Sequence, residues 1–156
     1  MRLTVNIGVR VTDLKAKVRQ FFEEYQTANI NFEIQRIAAF YADVFMFADP
    51  NGVRSVKKED FLKDLPRRKD FFKSLGLISS SLESAESLEM DSHYVLVKTI
   101  WKMRFERNTG EIVDCRNFAT YVLAMSGDSF EIVFQLDHQD LIQKARELGL
   151  NTDLQK

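Results

Sequence analysis

Apolar residues alternate with others from residue 3 to residue 11: Leu3, Val5, Ile7, Val9 and Val11 fall on one side. A period of two predicts a strand, placed in an N-terminal extension over 1–11 that precedes one domain over 12–150. The period then changes. Leu14, Val18, Phe21, Phe22 and Tyr25 recur at spacings of three and four, which predicts a helix to about residue 28, capped by Thr12 or Asp13. Ile34, Ile37, Ala38 and Tyr41 predict a second helix over roughly 31–41. Val44 to Ala48 reads as a short strand, broken by Pro50-Asn51-Gly52. Ser55 is expected to cap a third helix through KKEDFLKDL. Pro66 lacks an amide donor and is expected to kink or restart that helix before it continues to Gly76.

Beyond residue 78 the pattern predicts four strands, roughly 79–90, 93–107, 111–125 and 129–137. A last helix, LIQKAREL, opens at Gln139 or Asp140 and closes at Gly149. Asn108-Thr109-Gly110 reads as a three-residue hairpin loop. That loop sets 105 opposite 113, 101 opposite 117 and 97 opposite 121. One face then carries Val95, Val97, Thr99, Trp101, Met103 and Phe105 against Cys115, Asn117, Ala119, Tyr121 and Leu123. A two-residue loop at 91 and 92 adds Leu82, Ser84, Glu86, Leu88 and Met90 to this face. A four-residue third turn adds Ile132, Phe134 and Leu136. Helices first and a strand meander afterwards argue an α+β fold, with helices covering the apolar face of a curved antiparallel sheet. Glu86, Thr99, Asn117 and Tyr121 interrupt that face, and a covered polar group needs a partner or a ligand.

Composition narrows the possible functions. The chain has 156 residues, enough for one domain with its own core, and 13 of them are Phe. A net charge of −1 argues against a nucleic-acid binder. A single cysteine, Cys115, excludes an intrachain disulfide and a multi-cysteine metal site, and His93 and His138 match no ligand spacing. No apolar run is long enough to span a bilayer and no signal peptide is read, so the expected setting is cytoplasmic, with no membrane partner.

The stretch FYADVFMFADPNG, the helix SVKKEDFLKDL after it, and the ending GDSFEIVFQLDHQDLIQKARELG resemble the nuclear transport factor two-like superfamily, in its SnoaL-like branch. The resemblance implies a cone-shaped sheet closed by helices around an apolar pocket, in proteins that are enzymes or non-catalytic binding and dimerising modules. The same stretch is similar to the ketosteroid isomerases, whose Asp before Pro is the general base. Asp49 occupies that position. Tyr25 and Tyr41 keep the spacing of two tyrosines of those enzymes, and Tyr25 would donate to an oxyanion. Their second donor is a protonated Asp, and Tyr121, a phenol that can also donate, falls there instead.

The expected catalytic residues are therefore Asp49, Tyr25 and Tyr121. Tyr41, Glu86, Val97, Thr99, Trp101, Asn117 and Phe134 are expected to line the pocket. No cofactor or metal is implied. For Asp49 the alternative is turn chemistry, since Asp before Pro-Asn-Gly opens a turn well. Two functions stand side by side. One is binding of a small hydrophobic molecule, with isomerase or cyclase acid–base chemistry on a carbonyl compound. The other is a dimerising or interaction module, with Tyr94, Leu96 and Ile100 on the outer face motivating a homodimer.

Overall fold

A computed structural model describes residues 6–150, with side chains from Asp13 onward. Helix α1 (Asn6–Ile30) and the short α2 (Ile34–Ala39) lead into strands β1 (Tyr41–Asp49) and β2 (Gly52–Lys57). Helix α3 (Lys58–Ser74) follows. Then come β3 (Leu77–Glu89), β4 (Tyr94–Glu106), β5 (Ile112–Ser126), β6 (Ser129–Asp137) and α4 (Leu141–Glu147). The strands form one sheet in the order β2-β1-β6-β5-β4-β3. Only β1 against β6 is parallel; the other neighbours are antiparallel. Helices and sheet make the expected α+β architecture.

The first expected strand is helix over 6–11, and residues 3–5 lie outside the described ones. Ile7, Val11, Leu14 and Val18 also fit a three-and-four spacing, so the same residues satisfy the helical period over a longer window. The second helix is shorter than expected: Phe40 ends it and Tyr41 begins β1. Ser55 caps no helix; it pairs with Met46 inside β2, a strand the local pattern does not reveal. Nor does Pro66 restart α3, which continues through it. Pro66 is exposed, so the carbonyl deprived of its amide donor can be met by water.

The β4–β5 register is the expected one, with Phe105 opposite Val113, Trp101 opposite Asn117 and Val97 opposite Tyr121. Its two neighbours depart from expectation through bulges. In β3, Leu82 faces Trp101 but Ser84 faces Ile100, so Glu83 is an extra residue. Leu82 keeps its inward place. Ser84, Glu86, Leu88 and Met90 swing to the outer face, with Glu86 opposite Lys98. In β6, Ile132 faces Leu123 but Phe134 faces Val122, which makes Val133 the extra residue. Phe134 and Leu136 turn outward, and Gln135 and Asp137 turn inward instead.

The core lies between this inner face and α1, α2 and α3. Val18, Phe22, Ile37, Tyr41, Val95, Val97, Leu123 and Ile132 are almost fully buried there. Edge-to-face ring pairs fix α1 on the sheet, such as Phe21 with Phe130 at 5.8 Å and Tyr25 with Tyr121 at 6.4 Å between centroids. A second cluster, Leu75, Met103, Phe105, Ala145 and Leu150, is buried under α4.

Candidate functional site

Four elements bring polar groups together within the aromatic core. Helix α1 contributes Tyr25, the start of β1 contributes Tyr41, β5 contributes Tyr121, and the bulged end of β6 contributes Gln135 and Asp137. The Tyr25 and Tyr41 hydroxyls are 2.9 Å apart. Tyr41 donates to Gln135 Oε1 at 3.0 Å, and Gln135 Nε2 donates to Asp137 Oδ1 at 3.2 Å. Tyr41 has one proton and gives it to Gln135, so Tyr25 is the donor in the first pair. The chain Tyr25–Tyr41–Gln135–Asp137 therefore points its donors toward one carboxyl group. Each polarised bond strengthens the next in such a setting.

Burial governs the electrostatics. It raises Tyr41 and Tyr121 well above the usual phenol range, helped by the neighbouring Tyr25. Tyr25 is raised as well, by burial, against the opposing effects of its hydrogen bond to Tyr41 and the charge of Arg68. All three phenols thus stay protonated near neutrality and can only act as hydroxyl donors and acceptors. Asp137, 6% exposed, is raised above the ordinary carboxylate range. Burial is the largest cause and the Asp49 charge adds to it, while the Gln135 hydrogen bond and Arg68 oppose it. Arg68, on α3, is the cation whose charge reaches Asp137 and the three phenols.

Asp49 sits at the end of β1, half-buried, and its Oδ1 accepts from the Asn51 amide at 2.8 Å. That is an Asx turn, the turn chemistry anticipated from Pro50-Asn51-Gly52. The charge of Asp49 still reaches Asp137. Among the other expected residues, Val97 is fully buried in the core. Thr99 donates to the Ala119 carbonyl at 2.9 Å and accepts from Trp101 Nε1 at 2.9 Å, which satisfies both side chains. The Trp101 ring packs 5.9 Å from Tyr25. Asn117 faces inward opposite Trp101. Glu86 and Phe134 stand outside the cone, each displaced by the bulge in its strand.

Sequence reasoning misses Gln135, Asp137 and Arg68. A regular β6 hides the first two on the outer face, and a one-residue bulge leaves no mark in the alternation of EIVFQLD. Arg68 sits in the run Arg67-Arg68-Lys69, which reads as a solvated helix face; the first of these does pair with Asp64 in solvent, at 3.1 Å. Among the described residues no three His, Cys, Asp or Glu side chains gather as a metal site, and no helix is long and apolar enough to cross a membrane.

Comparison with solved structures places this fold among known ones. An NTF2-like protein with a cystatin-like fold from Novosphingobium aromaticivorans is similar over 95% of this chain and 97% of its own, with a TM-score of 0.68 and 10% identity. Aln2 from a Streptomyces species is 16% identical, with a TM-score of 0.67, over 86% of this chain and 96% of its own. A ketosteroid isomerase-like protein from Erwinia carotovora atroseptica matches with a TM-score of 0.61 and 16% identity, over 80% and 94% of the two chains. At such identities the likeness is one of fold. No curated protein matches the sequence. The model of the family described as NTF2-like protein (DUF6841) matches residues 15–140, and the chain belongs to that NTF2-like family.

Proposed function

We propose that the protein binds a small hydrophobic molecule inside the cone and that Asp137 is the group that exchanges a proton with it. The observation that carries this reading is the buried Asp137 carboxyl at the end of a directed chain of two tyrosines and a glutamine. A carboxyl raised by burial is a stronger base than a solvated one and sits nearer to neutrality as an acid. The supported chemistry is transfer of a proton at the carbon beside a carbonyl, of isomerase or cyclase type, without a cofactor. Asp137 takes the proton and Tyr121 donates a hydrogen bond to the oxygen that gains charge. Asp49, expected to be the base, is assigned the supporting role of a neighbouring charge at the turn.

The test is ligand-induced thermal stabilisation across small hydrophobic carbonyl compounds, on the wild type, Asp137→Asn and Asp49→Asn. A compound present at 100 times its dissociation constant stabilises the fold by about 2.7 kcal/mol. Hits altered by Asp137→Asn and unaffected by Asp49→Asn support the reading. The reverse pattern returns the role to Asp49, and a panel without hits overturns ligand binding.

A second reading, assembly of two copies through the outer face of the sheet, is favoured by one row of side chains. Leu88, Leu96, Val122, Phe134 and Met46 stand opposite one another across five neighbouring strands. Leu88 and Met46 are exposed, and Tyr94 and Phe118 add exposed rings on the same face. An apolar row that is exposed at its ends and half-buried between them is costly in water and is relieved when a like surface covers it.

A further inference from the structure

The hydrogen bonds that end on Asp137 all run one way. Tyr41 donates to Gln135 Oε1 at 3.0 Å, and Gln135 Nε2 donates to Asp137 Oδ1 at 3.2 Å. Tyr25 gives its only proton to Tyr41, so in its hydrogen bond with Tyr121 it accepts. This direction suits an ionised Asp137. It also spends the Tyr121 proton on Tyr25, so Tyr121 has none left for an outside oxygen.

The two ends of this chain of bonds are neighbours. Tyr121 stands opposite Gln135, and Ala119 stands opposite Asp137; all four are buried on the inner face. Tyr121 and Asp137 are therefore diagonal across the β5–β6 ladder, about 7–8 Å apart. The path between them leaves β5 for α1 and β1 and returns to β6. Every link on that path can face either way. A hydroxyl changes from donor to acceptor by rotating, and a glutamine amide does so by turning over.

A proton on Asp137 Oδ1 sets two donors face to face, the carboxyl O–H and Gln135 Nε2. Turning the amide over removes the conflict. Asp137 then donates to Gln135 Oε1, Gln135 Nε2 to Tyr41, Tyr41 to Tyr25 and Tyr25 to Tyr121. The Tyr121 proton is released, and no O–H or N–H bond within the chain has broken.

We infer that Gln135, Tyr41 and Tyr25 form a reversible relay, which turns round when Asp137 takes up a proton and so makes the Tyr121 hydroxyl a donor to the ligand's oxygen. The inference rests on the reading of Asp137 as the group that takes the ligand's proton. The C–H bond beside the carbonyl breaks, its proton forms the O–H bond of Asp137, and its electron pair moves to the carbonyl oxygen. The Tyr121 donor is freed as that oxygen gains charge. Gln135, Tyr41 and Tyr25 are positioning residues, since they touch no reacting atom. The relay suits an enolisable carbonyl compound whose acidic carbon meets Asp137 while its oxygen meets Tyr121. Three other charges act on Asp137: Arg68 on α3, Asp49 at the end of β1, and His138, next in sequence. Asp49 is tied to the Asn51 amide and His138 to Thr120, so neither interrupts the relay.

The test is an NMR pH titration of the full chain without ligand, reading the Asp137 carboxyl carbon, Tyr121 Cζ and the Gln135 side-chain amide. The Tyr121 signal is expected to shift with the same midpoint as Asp137. Tyr41→Phe cuts the relay and leaves the Asp137 charge in place; it is expected to shrink the Tyr121 shift while Asp137 still titrates. Asp137→Asn is expected to abolish the shift. An undiminished shift in Tyr41→Phe assigns the effect to charge alone and overturns the relay. So does a shift that survives Asp137→Asn, or a Tyr121 signal that ignores the Asp137 midpoint. Should Tyr41→Phe fail to fold, the wild type decides. Nuclear Overhauser contact between the Gln135 amide protons and the Tyr41 ring is expected to strengthen below the midpoint, and a contact unchanged across it overturns the relay. No ligand enters these measurements, so failure of the relay is told apart from a compound panel without hits.

Discussion

The Tyr41 hydroxyl donates to Gln135 Oε1 at 3.0 Å, joining the first strand of the sheet to the last across 94 positions of sequence. Tyr41→Phe keeps the ring, which packs 4.6 Å from Phe45 and 4.7 Å from Phe61, and removes only the bridge. It strands the Gln135 oxygen in a dry interior, while the Tyr25 hydroxyl keeps Tyr121 as a partner. A loss of about 1–3 kcal/mol is expected in urea unfolding, the range for one unsatisfied buried group. Gln135→Leu in the same background is expected to cost less than it does alone, because the oxygen it removes is already without a partner.

Asp137 sets a pH dependence whose sign follows from its raised pKa. The folded protein holds the Asp137 proton more tightly than the unfolded chain does. This group's destabilising effect is therefore absent below the unfolded carboxylate pKa, grows as pH rises, and is complete above the folded pKa. Asp137→Asn cannot ionise. Its melting temperature is expected to exceed the wild type's at neutral pH, with the gap narrowing as pH falls toward 3.8, the unperturbed value. A gap that widens on acidification would reverse the assignment.

Gly76 is fixed by its surroundings. Its φ is +89°, and a Cβ there would meet the Glu106 carbonyl oxygen at 2.1 Å. The Glu106 amide also donates to the Gly76 carbonyl at 2.8 Å, so neither backbone segment can retreat freely. Gly76→Ala is expected to destabilise by more than about 1 kcal/mol in chemical denaturation. Gly110→Ala serves as the control: its φ of +86° brings the same strain, but nothing lies within 4 Å, so it should cost less.

If two copies meet through the sheet's outer face, the row from Leu88 to Met46 is the centre of the contact. Leu96→Glu, in the middle of the row, is expected to leave a monomer in sedimentation velocity where the wild type sediments as a dimer. Lys98→Glu, in the adjoining row, is expected to weaken the dimer less. A wild type that is monomeric at high concentration would remove this reading.

The β4–β5 hairpin is legible in the sequence because its turn residues fix the register, and thirteen successive pairs then follow from one loop. The Tyr25–Tyr41 pair is legible from spacing and resemblance, though Tyr41 opens a strand and does not end a helix. The rest is hidden for one kind of reason. Alternation shows which residues share a face only while the strand stays regular. Glu83 and Val133 each add one residue, and every assignment beyond them inverts. A regular pattern therefore puts Glu86 and Phe134 inside and passes over Asp137. Asp49 draws notice because its neighbours Pro50, Asn51 and Gly52 are conspicuous, and those same neighbours are why its oxygen is engaged in the turn.

The extra residue at Val133 also bears on how such a protein changes over time. Losing that one codon would leave Ile132 and everything before it in place. It would also leave Gln135 and Asp137 inside, since Ile132 and Phe134 already pair with the successive residues Leu123 and Val122; drawing Val133 into the ladder would instead bring Phe134 and Leu136 to the interior side. The bulge, and not the number of residues, therefore puts the acid on that side. In a lineage built on this sheet, a shift of that bulge exchanges the inward side chains with no gap in the sequence. An alignment blind to the bulge will count the wrong side chains as equivalent.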